Sequence, residues 1–243
     1  LKTSMIVLIL ASTSAALYGL HYLIFGDATH IFFWSLTSLA FLPISALVLT
    51  LIINRLMSER ERRTRLEKMN MVIGAFFIEV GNRLLGMIAS WDPEVARIAE
   101  LTDISPAWTA KQFDNLRHQT ARHRFEVNPD AVNLVQVNEF LQEKRDFLLR
   151  LLENPNLLEY GAFTALLRAT LHVAEELDYR PSLSGLPESD IKHLGGDLRR
   201  VYALLVRQWV DYVRLLQTTY PYLFSLAARA NPLRADSSAV VES

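Results

Sequence analysis

Cysteine is missing from all 243 residues. Disulfides, thiolate-ligated metals and thiol catalysis are therefore excluded, and a reducing compartment fits. Charge is missing from two stretches: Met5 to Phe25 and Ile31 to Ile53 contain no Asp, Glu, Lys or Arg. A glycine-rich phosphate loop is missing as well. Gly195-Gly196, in "KHLGGDLRR", lacks the strand, spacing and lysine of a nucleotide motif and reads as a weak point or local bend in a helix. There is no Gly-x-Ser-x-Gly elbow, no alternating β-type strand, no repeat of fixed period and no low-complexity block. The net charge of −1 averages an oily front and an ordinary charged remainder, so it predicts little about partners.

What is present begins with those uncharged runs. Each is about the twenty residues needed to cross roughly 30 Å of hydrocarbon. Only Gly26-Asp27-Ala28-Thr29-His30 separates them. The competing reading is a cleaved signal peptide, with Ala11 to Ala16 as the cleavage region. Against it, apolar character resumes through Leu17, Leu20, Leu23, Ile24 and Phe25. The expectation is a two-helix transmembrane hairpin, since buried backbone groups in lipid must be satisfied internally. Arg55, Arg60, Arg62, Arg63, Arg65 and Lys68 crowd the exit of the second run, Lys2 precedes the first, and the loop has no basic residue. That bias predicts a multi-pass plasma (inner) membrane protein with both termini cytoplasmic. The same basic cluster is placed to meet anionic lipid headgroups, although a topology signal is the plainer reading. Tyr18, Tyr22, Phe25, Phe32, Phe33 and Trp34 flank the outer loop, where amphipathic rings favour the interface. Ala11, Ser12, Ala15, Ala16 and Gly19 would let another helix approach closely. Pro43 is expected to kink the second span or free a carbonyl there.

From Ile44 to Ile73 no helix breaker occurs, and Glu59 with Arg63 and Glu61 with Arg65 form favourable i,i+4 pairs. An amphipathic stripe follows: Leu66, Met69, Ile73, Phe76 or Phe77, Val80, Leu84, Met87 or Ile88, and Trp91. Gly74 and Gly81 lie seven apart, nearly on one face, which suits close helix packing within the chain or between subunits. Glu79 sits among apolar neighbours. An ion pair with Arg83 is the plain expectation, and a titrating or metal-binding role the sharper one. Further helices are expected from Ser105 as N-cap with Pro106 in the first turn, from Asp130, after the Asn154-Pro155-Asn156 turn as far as Asp178, from Ser189 or Asp190, and from Pro221. The class is all-α. It comprises a transmembrane hairpin (1–54), a stalk and amphipathic helix (55–91), a cytoplasmic helical bundle (92–234) and a disordered tail (235–243).

Chemistry is sparse. His172 precedes Glu175 and Glu176 by three and four residues, on one helix face. Di-metal bundles use Glu-x-x-His instead, and Glu79 is the one other glutamate in similar surroundings. With the ligand set incomplete, Glu79, His172 and Glu176 are weak metal candidates. A core or interface histidine paired with Glu176 is the expectation, with no metal or cofactor. His118 and His123 lie among Arg117, Arg122 and Arg124. That is a solvated basic face or a patch for an acidic partner; no aromatic platform accompanies it for nucleic acid. If copies assemble around an axis, Asp27 and His30 would ring a pore mouth. The spans offer such a path only Ser12, Ser14, Ser35, Ser38 and Ser45.

Four stretches carry a family likeness: "KMNMVIGAFFIEVGNRLL" (Lys68 to Leu85), "RDFLLRLLENPNLLE" (Arg145 to Glu159), "LSGLPESD" (Leu183 to Asp190) and "YPYLFSLAARANP" (Tyr220 to Pro232). The chain resembles a group of uncharacterised bacterial and archaeal two-span membrane proteins with a helical cytoplasmic domain. The resemblance implies that architecture and brings no catalytic residues. The functional expectation is a membrane-anchored, non-enzymatic scaffold or regulatory interaction protein. Its partners would be the lipid bilayer, further copies of itself in a homo-oligomer, and another membrane or cytoplasmic protein. The alternatives are a small cation channel with Asp27 at its mouth and a helical metalloenzyme built on Glu79, His172 and Glu176.

Overall fold

The computed structural model describes residues 3–155, 157 and 160–240; the side chains of residues 3, 4, 63 and 65 lie outside it, as do Lys2 and Asn156. Helix α1 (Thr3–Phe25) is followed by α2 (Ala28–Phe76), a π turn (Phe77–Gly81) and α3 (Asn82–Ala89). Then come α4 (Val95–Leu101), α5 (Ala110–Arg122), a 3-10 turn (Pro129–Ala131), α6 (Leu134–Leu152), α7 (Gly161–Asp178), α8 (Glu188–Thr219) and α9 (Pro221–Arg229). No strand occurs among the described residues. The chain divides into two units, Leu1–Arg63 and Thr64–Ser243, and the boundary falls within α2.

In the first unit α1 ends where Gly26 adopts φ +64°, a conformation that glycine enters without Cβ strain. Its N–H donates to the Tyr22 carbonyl at 2.9 Å. Asp27 then caps α2, its Oδ1 accepting from the backbone N–H of Thr29 (2.9 Å) and His30 (3.2 Å). Those bonds, led by that from His30, hold the Asp27 carboxyl below its ordinary range. His30 stacks on His21 at 5.7 Å, and its Nε2 accepts from Trp34 Nε1 at 2.9 Å. The helix runs unbroken through Pro43. Hydroxyls turn back on their own helix: Thr13, Thr37, Ser45 and Thr50 each donate to the carbonyl four residues earlier. The large apolar side chains from Met5 to Met57 are mostly exposed, and the apolar windows of both helices are wholly unburied.

The second unit is built around α8. Leu194, Leu198, Val201, Tyr202, Leu205, Val206, Trp209, Val210, Val213 and Leu216 form its buried face, against which α7, α5, α9 and α3 pack. Helix starts follow local chemistry. Gln112 Oε1 accepts from both the N–H and the hydroxyl of Thr109 at 2.8 Å, so α5 begins there. The start expected at Ser105 is corrected: Ser105 and Pro106 lie in a separate turn, closed by Trp108 N–H to the Ser105 carbonyl. The start expected at Asp130 moves likewise. Asn128 Oδ1 captures the Asp130 N–H into the 3-10 turn, and Asn133 caps α6 through Gln136 N–H at 3.1 Å.

The π turn explains an ambiguity in the apolar stripe. Neighbours on a regular helix point about 100° apart, so one phenylalanine is expected to face the core. The wider turn buries both. Phe76 packs edge-on against Phe163 at 5.2 Å, while Phe77 stacks on Tyr212 at 4.8 Å. Met69, Val80, Leu84, Leu85 and Ile88 are also fully buried, so the amphipathic stretch of the expected 55–91 segment lies in the core of the second unit. Polar contacts surround the start of the stretch expected as a disordered tail, 235–243. Arg234 pairs with Asp103 at 2.7 Å and Asp236 at 2.9 Å, and Asn231 donates to the Thr102 carbonyl at 2.9 Å. Residues 241–243 of that expected tail lie outside the described residues.

Both helix glycines face inward, to different effect. A Cβ on Gly74 would meet Tyr212 at 3.8 Å, an ordinary contact. A Cβ on Gly81 would meet the Phe77 ring at 2.6 Å and Phe76 at 2.9 Å. Gly81→Ala should therefore destabilise the second unit by about 1–3 kcal/mol, as overpacking does. Gly74→Ala should be neutral or stabilise by up to about 1 kcal/mol. Denaturant unfolding of each full-length variant in detergent, followed by tryptophan fluorescence, checks the contrast; equal effects would remove the packing account.

Candidate functional site

The sequence-derived residues do not assemble into one site. Glu79 pairs with Lys144 on α6 at 3.2 Å, and those bonds hold the Lys144 ammonium above its ordinary range. The expected Glu79–Arg83 pair is corrected: Arg83 lies over the Phe140 ring, 4.7 Å from its centroid. Glu79 is thus remote in role from His172 and Glu176. In the basic cluster Arg55, Arg60, Arg62 and Lys68 are exposed, with Arg55 reaching Glu59 at 3.5 Å. The side chains of Arg63 and Arg65 lie outside the described residues. The face around His118 and His123 is largely committed internally. Arg117 pairs with Asp211 at 3.0 Å, and Arg124 with Glu126 at 2.7 Å. His123 packs on Phe125 with its Nε2 buried, and burial pushes its pKa down.

Two polar groups lie deeper. Asp92, buried, accepts the Glu94 N–H at 2.9 Å. Tyr202 lies beside it, its phenol raised far above the ordinary range by burial and then by the Asp92 charge. A cleft of about 320 Å³ is bounded by Asn70, Ile73, Phe163, Gln208, Asp211 and Tyr212. Burial raises the Asp211 carboxyl there against the opposing pull of Arg117 and Arg214.

The arrangement with the most chemistry joins α7 to α8. His172 and Glu176 are four apart on α7; His193 and Asp197 are four apart on α8. They form an alternating ring. His172 Nε2 lies 3.9 Å from Glu176 Oε1 and 3.6 Å from Asp197 Oδ2. His193 Nε2 lies 3.8 Å from Glu176 Oε2 and 3.4 Å from Asp197 Oδ2. The imidazoles stand at the rim, about half exposed, while Asp197 forms the floor at 5% exposure. Outside the ring, Arg180 grips Asp190 with two bonds of 2.6 and 2.7 Å and reaches Glu176 at 2.8 Å, while also donating to the Glu176 carbonyl. Arg200 approaches Asp197 Oδ1 at 3.3 Å. Of the expected core or interface histidine beside Glu176, the core form does not hold: His172 is half exposed, lies 3.9 Å from Glu176 and shares its carboxylates with a second imidazole. His193 and Asp197 were missed. Their signal is a repeated His-x-x-x-acid spacing in two successive helices.

The whole sequence has a known relative. It is 40% identical over 237 residues to a protein of Methanocaldococcus jannaschii described as "Uncharacterized protein MJ1433", spanning 98% of this chain and 95% of that one. Residues 65–229 match the family described as "Uncharacterized protein MJ1433, C-terminal helical domain", and residues 2–57 match "MJ1433, N-terminal helical domain". The chain belongs to the MJ1433 family. No solved structure matches. The MJ1433 domain division falls between residues 57 and 65, around the boundary of the two units at Arg63 and Thr64. All four ring residues lie in the MJ1433 C-terminal domain.

Arg180 makes the ring's support sensitive to acid. Its guanidinium, hydrogen-bonded to both, holds the Glu176 and Asp190 carboxyls below their ordinary values. A depressed carboxyl contributes stability above its unfolded pKa and loses it as pH falls through the folded one. Arg180→Gln should therefore lower the unfolding midpoint at pH 7. The gap to the parent should close as pH drops below the ordinary carboxylate range. Thermal unfolding of both proteins across that range is the check, and a gap independent of pH would contradict it.

Proposed function

We propose that this MJ1433-family chain is a membrane-anchored, non-enzymatic scaffold or interaction protein that associates with copies of itself. In this reading residues 1–54 cross the plasma membrane as a helical hairpin and the second unit stands on the cytoplasmic side. The observation that carries it is the exposure of the apolar side chains from Met5 to Met57. Water would penalise that surface at roughly 25 cal/mol per Å², whereas hydrocarbon would not. The inward-turned hydroxyls of Thr13, Thr37, Ser45 and Thr50 support the same solvent, because each donor is satisfied on its own helix. Arg55, Arg60 and Arg62 follow where the uncharged run ends, which favours the cytoplasm for that end.

The channel alternative draws less support. Asp27 spends its carboxylate on the cap of α2, and His30 is engaged by Trp34 and His21. Of the hydroxyls that would line a wet path, Ser45 is turned back onto the Phe41 carbonyl of its own helix. Self-association rests on Gly19, whose Cβ position meets nothing within 4 Å, and on the exposed small residues around it, which permit close helix approach in lipid.

A chain without cysteine suits single-cysteine labelling. Ala28→Cys in intact cells should react with a membrane-impermeant maleimide, and Arg60→Cys should react only after permeabilisation. Labelling of position 60 from outside would reverse the topology, and release of the protein by alkaline carbonate would end the membrane reading. Native mass spectrometry from detergent should show particles larger than one chain. Gly19→Leu should shift them toward monomer, and a strictly monomeric parent would refute self-association.

A further inference from the structure

The ring between α7 and α8 contains an unmet demand. Asp197 Oδ2 is fully buried and has no hydrogen-bond partner among the described residues, although two imidazole nitrogens face it at 3.4 and 3.6 Å. A buried carboxylate oxygen left in that state is costly. Its surroundings supply little relief: three carboxylates, Glu176, Asp190 and Asp197, face two guanidiniums, Arg180 and Arg200. A cation placed among the four donors would satisfy Oδ2.

We propose that His172, Glu176, His193 and Asp197 form a binding site for one divalent first-row transition-metal ion. Two imidazoles with two carboxylates suit zinc and its neighbours, whereas magnesium and calcium prefer oxygen alone. Tetrahedral donors at about 2.0–2.1 Å from zinc stand about 3.4 Å from one another. The neighbouring donors here are 3.4, 3.6, 3.8 and 3.9 Å apart. As they stand, no three or more His, Asp or Glu side chains among the described residues are placed to hold a metal ion. Closing on one ion therefore requires the side chains to move inward. The half-exposed imidazoles can supply that movement by rotation, because among the described residues no hydrogen bond fixes their Nε2 atoms. Arg200 acts as an outer partner on Asp197 Oδ1, the oxygen turned away from the ring, while Arg180 holds Glu176 through Oε2 and leaves Oε1 as its donor to the ion. The site opens at its imidazole rim, so the ion enters from solvent. This inference stands on the second unit alone and is independent of the membrane reading.

The test uses the full chain in detergent, without a histidine tag, stripped with chelator and titrated with Co²⁺. One equivalent should bind, with visible absorption of low-coordinate cobalt, and Zn²⁺ should displace it. Asp197→Asn and His193→Gln should each weaken binding at least 100-fold, while His118→Gln should leave it unchanged. If Asp197→Asn does not fold, the rim variant His193→Gln decides alone. Absence of stoichiometric binding, or binding that survives His193→Gln, overturns the site.

Discussion

Excluding water from one face of α8 is the constraint on which the second unit depends. Tyr202 and Trp209 are the largest side chains on that face, and aromatics of this size dominate core energetics. Tyr212, one turn further, receives the Phe77 ring, so α8 also anchors the π turn. Because α8 is long, its packing reaches both α5 and α9, and its early turns meet the 3-10 turn at Pro129. There Gly195 has its use. A Cβ would stand 3.4 Å from the Pro129 ring, so glycine allows that turn to close on the helix. Two residues later the same contact leaves Asp197 in the core-facing register. Its burial is therefore a consequence of where α8 must pack.

Much of the fold was legible because its signals are periodic. The stripe from Met69 to Trp91 requires a buried helix face, and the core contains it. The stretch Phe163, Leu166, Leu167, Leu171 and Val173 likewise became the inner face of α7. What was not legible depends on partners distant in sequence. Nothing local distinguishes Arg83 from Lys144 as the mate of Glu79, since Lys144 arrives from another helix. Ser105-Pro106 is a sound helix start in isolation; Thr109 and Gln112 make a better one, because one amide oxygen takes two donors. The π turn is invisible to a period-3.6 reading, which must choose between Phe76 and Phe77.

The candidate site was half legible for the same reason. His172 and Glu176 share a face by spacing alone. His193 and Asp197 share another, but their neighbourhood reads first as "HLGGD", a glycine pair in search of a phosphate. Only the antiparallel pairing of α7 with α8 lays the two spacings together. Sequence spacing defines a face; topology decides which faces meet.

The glycines make a related argument about what a residue is for. Gly74 and Gly81 looked available to a second subunit because they lie in phase on one helix. Their open sides are instead filled by Tyr212, Phe76 and Phe77 of the same chain. Gly19 is the contrasting case: among the described residues nothing lies within 4 Å of its Cβ position. If copies associate as proposed, the contact is better sought along α1, where close approach costs no core packing. A partner at Gly81 would first have to displace two phenylalanine rings that hold α7 and α8 against the π turn. On that energetic asymmetry, the proposed self-association would use the uncovered helices and leave the polar ring of the packed unit unchanged.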